Sequence, residues 1–123
     1  MQITDPLLAQ VASWVGRSSA EMNCWQLVQQ AFALRGLTLP NDVYGLYSGK
    51  FFGTVFEPEP WDVVPICNHK LQWINHVGLY LGGGLVAHSL GSFVILPLDR
   101  EPWASRQATT RDGRKGFLRY RTA

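Results

Sequence analysis

A chain of 123 residues that is 46% hydrophobic and only 16% charged has the composition of a globular protein, and we predict a single domain over residues 1–123. Two cysteines are too few for a disulfide framework and neither lies in a CxxC pair, so we expect no structural zinc site and no other metal or cofactor. "MQITDPLLAQ" lacks a basic start followed by an apolar core, and no apolar run is long enough to cross a bilayer; we therefore expect no signal peptide, no membrane span and synthesis in the cytoplasm.

The formal net charge of +2 conceals an uneven distribution of charge along the chain. Residues 99–123 hold seven Lys and Arg residues against three Asp and Glu residues, while the rest of the chain is net acidic. A basic end can attract an anionic polymer such as cell wall or nucleic acid. Because these basic residues do not form an unbroken block, we interpret them as a solvated surface and expect no specific nucleic-acid partner.

Two amphipathic helices are predicted in the first third of the chain. Asp5 followed by Pro6 is a typical helix start, a capping carboxylate and then proline in the first turn, and Gly16 marks the end. A second helix is predicted over about residues 21–35, because apolar residues recur there at a spacing of three or four. Residues 41–61 are rich in glycine, proline and aromatic residues without a stable period, and we interpret them as a loop.

From Trp61 onward the sequence has the pattern of short β-strands. "DVVPIC" is predicted as one strand, in which Pro65 indicates an edge or a bulge. "INHVGLYL", "GGG" and "LVAHSL" predict a β-hairpin with a glycine turn, and "SFVILPL" a further strand. "DREPWASRQ" predicts a helical turn and "GFLRYR" a final strand. Helices followed by an antiparallel sheet indicate an α+β fold.

The hairpin carries two histidines that the predicted register brings together. If Gly82–Gly84 form a three-residue loop, Leu81 faces Leu85, and His76 then lies diagonally from His88 on the same face of the sheet. Diagonal neighbours are about 7–8 Å apart at the backbone, so two imidazoles can hydrogen-bond. A loop one residue longer or shorter would place the two side chains on opposite faces.

Cys24 lies near the start of the second predicted helix, where the helix dipole stabilises a negative charge. That effect is typically 0.3–1 kcal/mol and at most ~2, which is too little to ionise a thiol of pKa ~8.5 at neutral pH. A histidine beside the sulfur is needed for an effective nucleophile. A catalytic interpretation therefore requires Cys24, His76 as its partner and His88 as the residue that orients His76.

Each of these residues also has a purely structural interpretation. A single cysteine on the apolar stripe of a helix is usually a buried packing residue, and a single strand histidine is usually a hydrogen-bonded structural residue. Cys67 and His69 have no helix terminus nearby that would activate the thiol, so we interpret Cys67 as a strand cysteine and His69 as a loop histidine.

Three segments resemble the NlpC-type cell-wall cysteine endopeptidases. "NCWQLVQQAFALRGLTLP" is similar to the segment of that family that begins Asp-Cys-Ser-Gly-Leu-Val and continues as a helix. "EPWDVVPI" occupies the place of a Pro-Gly-Asp-Leu-Val strand, and "HVGLYLGGGLVAHS" is similar to the strand pair that begins His-Val-Gly and ends at a second histidine. The matching blocks cover residues 22–40 and 58–90, a little under half of the chain.

The resemblance implies a papain-like α+β fold, with N-terminal helices packed on a small antiparallel β-sheet, and cleavage of peptide-stem bonds of peptidoglycan. By position it implies that Cys24 is the nucleophile, His76 the base and His88 the third, orienting residue. The short length, Trp25 and a C-terminal Trp103 with "FLRYR" look most like the members carried in phage tails. We therefore expect a phage tail or prophage component, with other tail proteins as partners and a place in the virion tail.

The chain departs from the family pattern beside the cysteine and before the first strand. Asn23 stands where the family usually has aspartate, and Trp25 occupies a position where the family has a small serine or, in a variant, tryptophan. In the resembling enzymes these neighbours help to hold the substrate, so we predict that Asn23 and Trp25 contact it here. Trp61 fills the place of the usual glycine before Asp62.

Three alternatives remain open from the sequence. The first is a catalytically idle structural or adaptor module of the same fold. The second is an acyltransferase of the lecithin retinol acyltransferase type, although in that group the histidine precedes the cysteine in the chain. The third is a metal site formed by Cys24, His76 and His88.

Overall fold

The computed structural model describes residues 3–18, 20–40, 51–68, 73–110 and 112–121. These ranges contain helices and an antiparallel sheet, which confirms the predicted α+β class. None of the helices within these ranges combines the length and the apolar character needed to cross a membrane. In chain order the elements are α1 (Pro6–Ala12), α2 (Cys24–Ala33), β1 (Phe52–Val55), β2 (Val63–Asn68), β3 (Trp73–Gly82), β4 (Leu85–Leu90), β5 (Ser92–Pro97), α3 (Trp103–Arg106) and β6 (Phe117–Tyr120).

Both long helices begin at capping side chains. The carboxylate of Asp5 accepts hydrogen bonds from the backbone N–H groups of the first turn of α1, and Pro6 occupies that turn as predicted. Helix α2 begins at Cys24 and not at residue 21, because Asn23 has an extended backbone (φ −75°, ψ 177°). Asn23 and Gln26 accept hydrogen bonds from each other's backbone N–H at 2.9 Å, a capping box that sets this first residue.

The sheet has six strands in the order β1-β6-β2-β3-β4-β5, and all neighbours are antiparallel. Residues 41–61 were predicted as loop, but residues 52–55 form β1, which pairs with β6. Residues 41–50 of that segment lie outside the described residues. Strand β2 has neighbours on both sides, so Pro65 does not mark an edge; a register shift does follow it, between Ile66 and Cys67. The remaining strands and the α3 turn lie where the sequence predicts them.

The β3–β4 hairpin reaches the predicted register by a different turn. Gly82 pairs with Leu85, so only Gly83 and Gly84 form the turn, both with positive φ (61° and 80°), as a type I′ turn requires. Leu81 was predicted to face Leu85 and does not, because the register shifts between Tyr80 and Gly82. Beyond this bulge Leu79 pairs with Ala87, which is the register that the three-residue loop implied.

Alternate residues of the strands face two separate apolar clusters. The helix-side cluster, where Val77 and Leu79 lie, contains the buried faces of α1 and α2. The Trp103 cluster contains Tyr80, the residue after Leu79, and the buried indole of α3. Its buried members are Val64, Ile66, Tyr80, Val86, Trp103 and Phe117. Successive side chains of a strand therefore point to opposite clusters, as Leu79 and Tyr80 do.

An ion pair between the buried carboxylate of Asp62 and the partly exposed Arg119 joins the start of β2 to β6. Asp62 is 1% exposed and accepts hydrogen bonds from Nε and Nη2 of Arg119 at 2.9 and 2.8 Å. Trp61, just before it, has a φ of 82°, a left-handed conformation that glycine adopts without strain. Its indole N–H donates to the Asp5 carboxylate at 2.7 Å, which ties this strained turn to the start of α1.

We predict that Arg119→Met lowers the free energy of unfolding by about 3 kcal/mol. The substitution leaves the buried carboxylate of Asp62 without its cation, and breaking a buried pair in this way typically costs 3–5 kcal/mol. The lower end is expected because the Arg119 side chain is 35% exposed. Urea unfolding followed by circular dichroism measures the change.

The control is Arg17→Met, which removes the same charge from an exposed pair with Glu21 at 3.5 Å. Pairs of this kind contribute about 0–1 kcal/mol. Equal losses for the two variants would show that the Asp62–Arg119 pair has no special role in stability.

Candidate active site

Cys24 is the first residue of α2 and is half-buried against the helix-side cluster. The start of this helix is anchored to the sheet by Ser89, whose buried hydroxyl donates to the carbonyl of Met22 at 2.6 Å. Ser89 directly follows His88 on β4. The thiol is therefore carried at the positive end of a helix that is fixed beside the strand of His88.

The two strand histidines form the hydrogen bond that the predicted register implied. Nε2 of His76 lies 2.8 Å from Nδ1 of His88, and the two rings are nearly perpendicular, at 82°. His88 is 3% exposed, whereas His76 is only partly buried. An inner histidine thus holds the ring of an outer one, which is the arrangement expected of an orienting residue and a base.

Trp103 covers this histidine pair, a contact that the sequence did not predict. Its indole stacks on His76, with ring centroids 6.1 Å apart and an interplanar angle of 20°, and meets His88 edge-on at 5.1 Å. Gly78 provides the space, since a Cβ there would lie 2.6 Å from Trp103 Cη2. In the sequence, Gly78 is the signal that a large group packs against this strand.

Burial keeps both imidazoles neutral at physiological pH. It lowers the pKa of His76 to about 4, and the positive charges that His88 and Arg106 can carry contribute further. Burial also lowers the pKa of His88. His76 is therefore available as a proton acceptor at neutral pH, but it is a weak one in this arrangement.

The structure does not join the thiol to the histidine pair by a hydrogen bond. Among the described residues the two imidazoles contact Trp103, whereas Cys24 packs against the cluster on the helix side. No three Cys, His, Asp or Glu residues of the described ranges are placed to hold a metal ion. Hydrogen bonds of catalytic groups are often long before substrate binds. The contact between Cys24 and His76 stays a prediction.

The neighbours of Cys24 make local contacts in the structure. Asn23 uses its side-chain oxygen to cap α2. Trp25 is buried in the helix-side cluster, and its indole N–H donates to the carbonyl of Pro40 at 3.0 Å. Their contact with substrate therefore stays a prediction. Cys67 lies in β2, as expected of a strand cysteine, and His69 lies outside the described residues.

An open groove of about 640 Å³ lies beside the glycine turn of the hairpin. Leu98, Lys115 and Phe117 are among its lining residues. It is at the other end of β3 from His76 and contains none of the predicted site residues. We therefore place the candidate active site at the histidine pair and not in this groove.

Comparison with known proteins identifies relatives of this chain. The model of the NlpC/P60 family matches residues 10–112. A probable endopeptidase of Mycobacterium tuberculosis is 30% identical over 77 residues, which are 63% of this chain and 19% of that protein. The chain thus spans about a fifth of the length of the curated relatives that it matches.

Two solved structures share the fold. A Staphylococcus aureus protein described as similar to lipoprotein, NLP/P60 family, has a TM-score of 0.72 and 16% identity over 95% of this chain and 41% of its own. RipD of Mycobacterium tuberculosis has a TM-score of 0.65 and 19% identity over 100% of this chain and 99% of its own. RipD is described as a non-catalytic NlpC/p60 domain protein adapted to a peptidoglycan-binding function.

We predict that the stability of the protein falls as the pH is lowered from 6.5 towards 4. The pKa of His76 is about 6.5 in the unfolded chain and about 4 in the folded one, so the unfolded chain binds more protons in this interval. The contribution of His76 is fully present above pH 6.5 and is lost as the pH approaches 4. Urea unfolding at several pH values measures it.

The control is His76→Asn, which cannot titrate in this interval and should therefore show a weaker pH dependence than the wild type. If NMR showed that His76 in the wild type titrates near pH 6.5, the prediction would be wrong, because its ring would then be solvated rather than buried.

Proposed function

Because this chain belongs to the NlpC/P60 family, we propose that it is a cysteine endopeptidase that hydrolyses peptide-stem bonds of bacterial peptidoglycan. We assign the nucleophile to Cys24, the base to His76 and the orienting role to His88. The observation that carries this proposal is the 2.8 Å hydrogen bond between His76 and His88, formed on strands beside the helix that begins at Cys24.

The proposed reaction is acyl transfer through a thioester. The sulfur of Cys24 attacks the carbonyl carbon of the scissile amide while His76 accepts the thiol proton. His76 then donates this proton to the nitrogen of the leaving amine as the C–N bond breaks. A water molecule, deprotonated by His76, attacks the thioester and releases the acid, and the thiol recovers its proton.

The neutral state of His76 suggests when the proton moves. An imidazole whose pKa burial holds at about 4 does not form a stable imidazolium–thiolate pair with Cys24 before substrate binds. A thiolate beside the ring would raise the pKa of His76, because an opposite charge favours the protonated form. We therefore propose that the proton is transferred as Cys24 approaches His76 and attacks the substrate, and not before.

The substrate and biological setting are proposed from the sequence around the cysteine and from the C-terminus. Asn23 and Trp25, which flank Cys24, are proposed to contact the peptide stem. The resemblance of Trp25 and of the C-terminal Trp103 with "FLRYR" to phage tail members supports a role as a phage tail or prophage component. Other tail proteins are then its partners.

A second candidate is a non-catalytic module that binds peptidoglycan. It is favoured by the absence of a hydrogen bond between Cys24 and the histidines in the described part of the chain, and by the low pKa of His76. RipD, which shares the fold, carries a description of this kind. The two candidates differ in turnover and agree in binding, so one assay of each separates them.

We predict that the protein cleaves purified muropeptides and that Cys24→Ala and His76→Ala each reduce the rate at least about 10³-fold. Members of one catalytic unit are strongly non-additive, so the double variant should be little worse than either single one. Mass spectrometry of the products measures the rate and identifies the bond. A wild-type protein that binds peptidoglycan sacculi but yields no product would support the second candidate.

We predict that His88→Asn is milder than His88→Ala, which in turn is milder than His76→Ala. Asparagine can still accept a hydrogen bond from His76, whereas alanine leaves the ring unheld, and we expect His88→Ala to cost about 10-fold or more. Circular dichroism should show that all three variants fold. Full activity of His88→Ala alongside an inactive His76→Ala would mean that another residue orients the base.

A further inference from the structure

Trp103 contacts both members of the histidine pair from a position outside the hairpin. It is fully buried and lies in α3, a helix of one turn that follows β5. The indole lies nearly parallel to His76, at 20°, and nearly perpendicular to His88, at 76°. The two imidazoles are themselves nearly perpendicular, at 82°. The contacts among the three rings therefore fix the orientation of each ring.

The surface of β3 is shaped for this indole. An added Cβ at Gly78 would lie 2.6 Å from Cη2 of Trp103 and 2.5 Å from Cγ1 of Val86, distances that real side chains do not show. The six-membered ring of the indole therefore rests on the strand between His76 and Tyr80. Rotation of the His76 ring would lose both the stacking contact and the hydrogen bond to His88.

The polar atoms of this cluster indicate that Trp103 does more than fill space. Nε1 of Trp103 and Nε2 of His88 are the buried side-chain polar atoms that lack a hydrogen-bond partner among the described residues. A buried N–H without a partner lowers stability, and phenylalanine in place of Trp103 would avoid this loss. The indole N–H of Trp103 is therefore not needed for the packing of the cluster.

We propose that Trp103 is a positioning residue that holds the rings of His76 and His88 in their hydrogen-bonding orientation and keeps water from the bond between them. A hydrogen bond shielded from water is stronger than an exposed one, because the local dielectric constant is lower. The catalytic consequence rests on the proposed peptidase function. The placement of the rings does not, and it is measured without substrate.

NMR of the imidazole nitrogens tests this proposal on the intact chain. Wild type should show a ring N–H resonance for the His76–His88 bond at neutral pH, because exchange with water is slowed. In Trp103→Leu this resonance should vanish, and the pKa of His76 should rise by about one or more towards 6.5 as water reaches the ring. The neighbouring charged groups, His88 and Arg106, are unchanged in this variant.

Two further variants separate positioning from packing. Trp103→Phe keeps an aromatic face over His76 and should retain most of the N–H signal and the low pKa. Phe117→Leu removes a buried ring from the same cluster, where it meets Tyr80 at 6.5 Å, and should change neither. In the muropeptide assay Trp103→Leu should lower kcat about 10-fold with little change in KM, because the base and not the substrate is displaced.

Several results would overturn the proposal. One is a wild-type spectrum without a protected ring N–H, which needs no variant and remains decisive even if Trp103→Leu does not fold. A second is a pKa of His76 that is the same in Trp103→Leu as in the wild type. A third is that Trp103→Leu and Phe117→Leu change the ring N–H signal and the pKa of His76 to the same extent. If the rings behave as expected but no muropeptide is cleaved, the proposed peptidase function fails and the positioning role of Trp103 stands.

Discussion

The register of the β3–β4 hairpin is the constraint on which the rest of the site depends. Pairing Leu79 with Ala87 puts His76 and His88 on one face, and a slip of one residue would separate them. The same register leaves Gly78 bare for the indole of Trp103. Because two glycines form the turn and a bulge absorbs one residue, the strands reach this pairing without a loop of three.

The alternation of side chains along the strands also places the predicted nucleophile and the two histidines against different faces of the sheet. Helix α2 packs with the helix-side cluster and carries Cys24 at its start, whereas the histidine rings contact Trp103 of the other cluster. For the proposed reaction, the sulfur of Cys24 and the ring of His76 must therefore come together at the margin of the sheet, where its two faces meet. The bond from Ser89 to the carbonyl of Met22 fixes the start of α2 close to that margin.

The features that orient the histidines also disfavour protonation of their rings. Burial under the indole gives the 2.8 Å bond its fixed geometry, and it lowers the pKa of both imidazoles for the same reason. The unpartnered ring nitrogens of His88 and Trp103 lower the stability of the fold. Functional sites commonly include such a loss where a reactive group, here His76, has to be held in place.

The sequence by itself determined the elements whose causes are local. Helix caps, glycine turns and strand periodicity specified both helices, the hairpin, the final strand and the meeting of His76 with His88, since each depends on residues close in the chain. Tertiary structure decided what depends on distant residues. The pairing of β1 with β6, the left-handed Trp61 held by Asp5, and the indole of Trp103 over Gly78 join segments with no shared pattern. Such contacts follow from packing in three dimensions, which periodicity along one strand or helix does not encode.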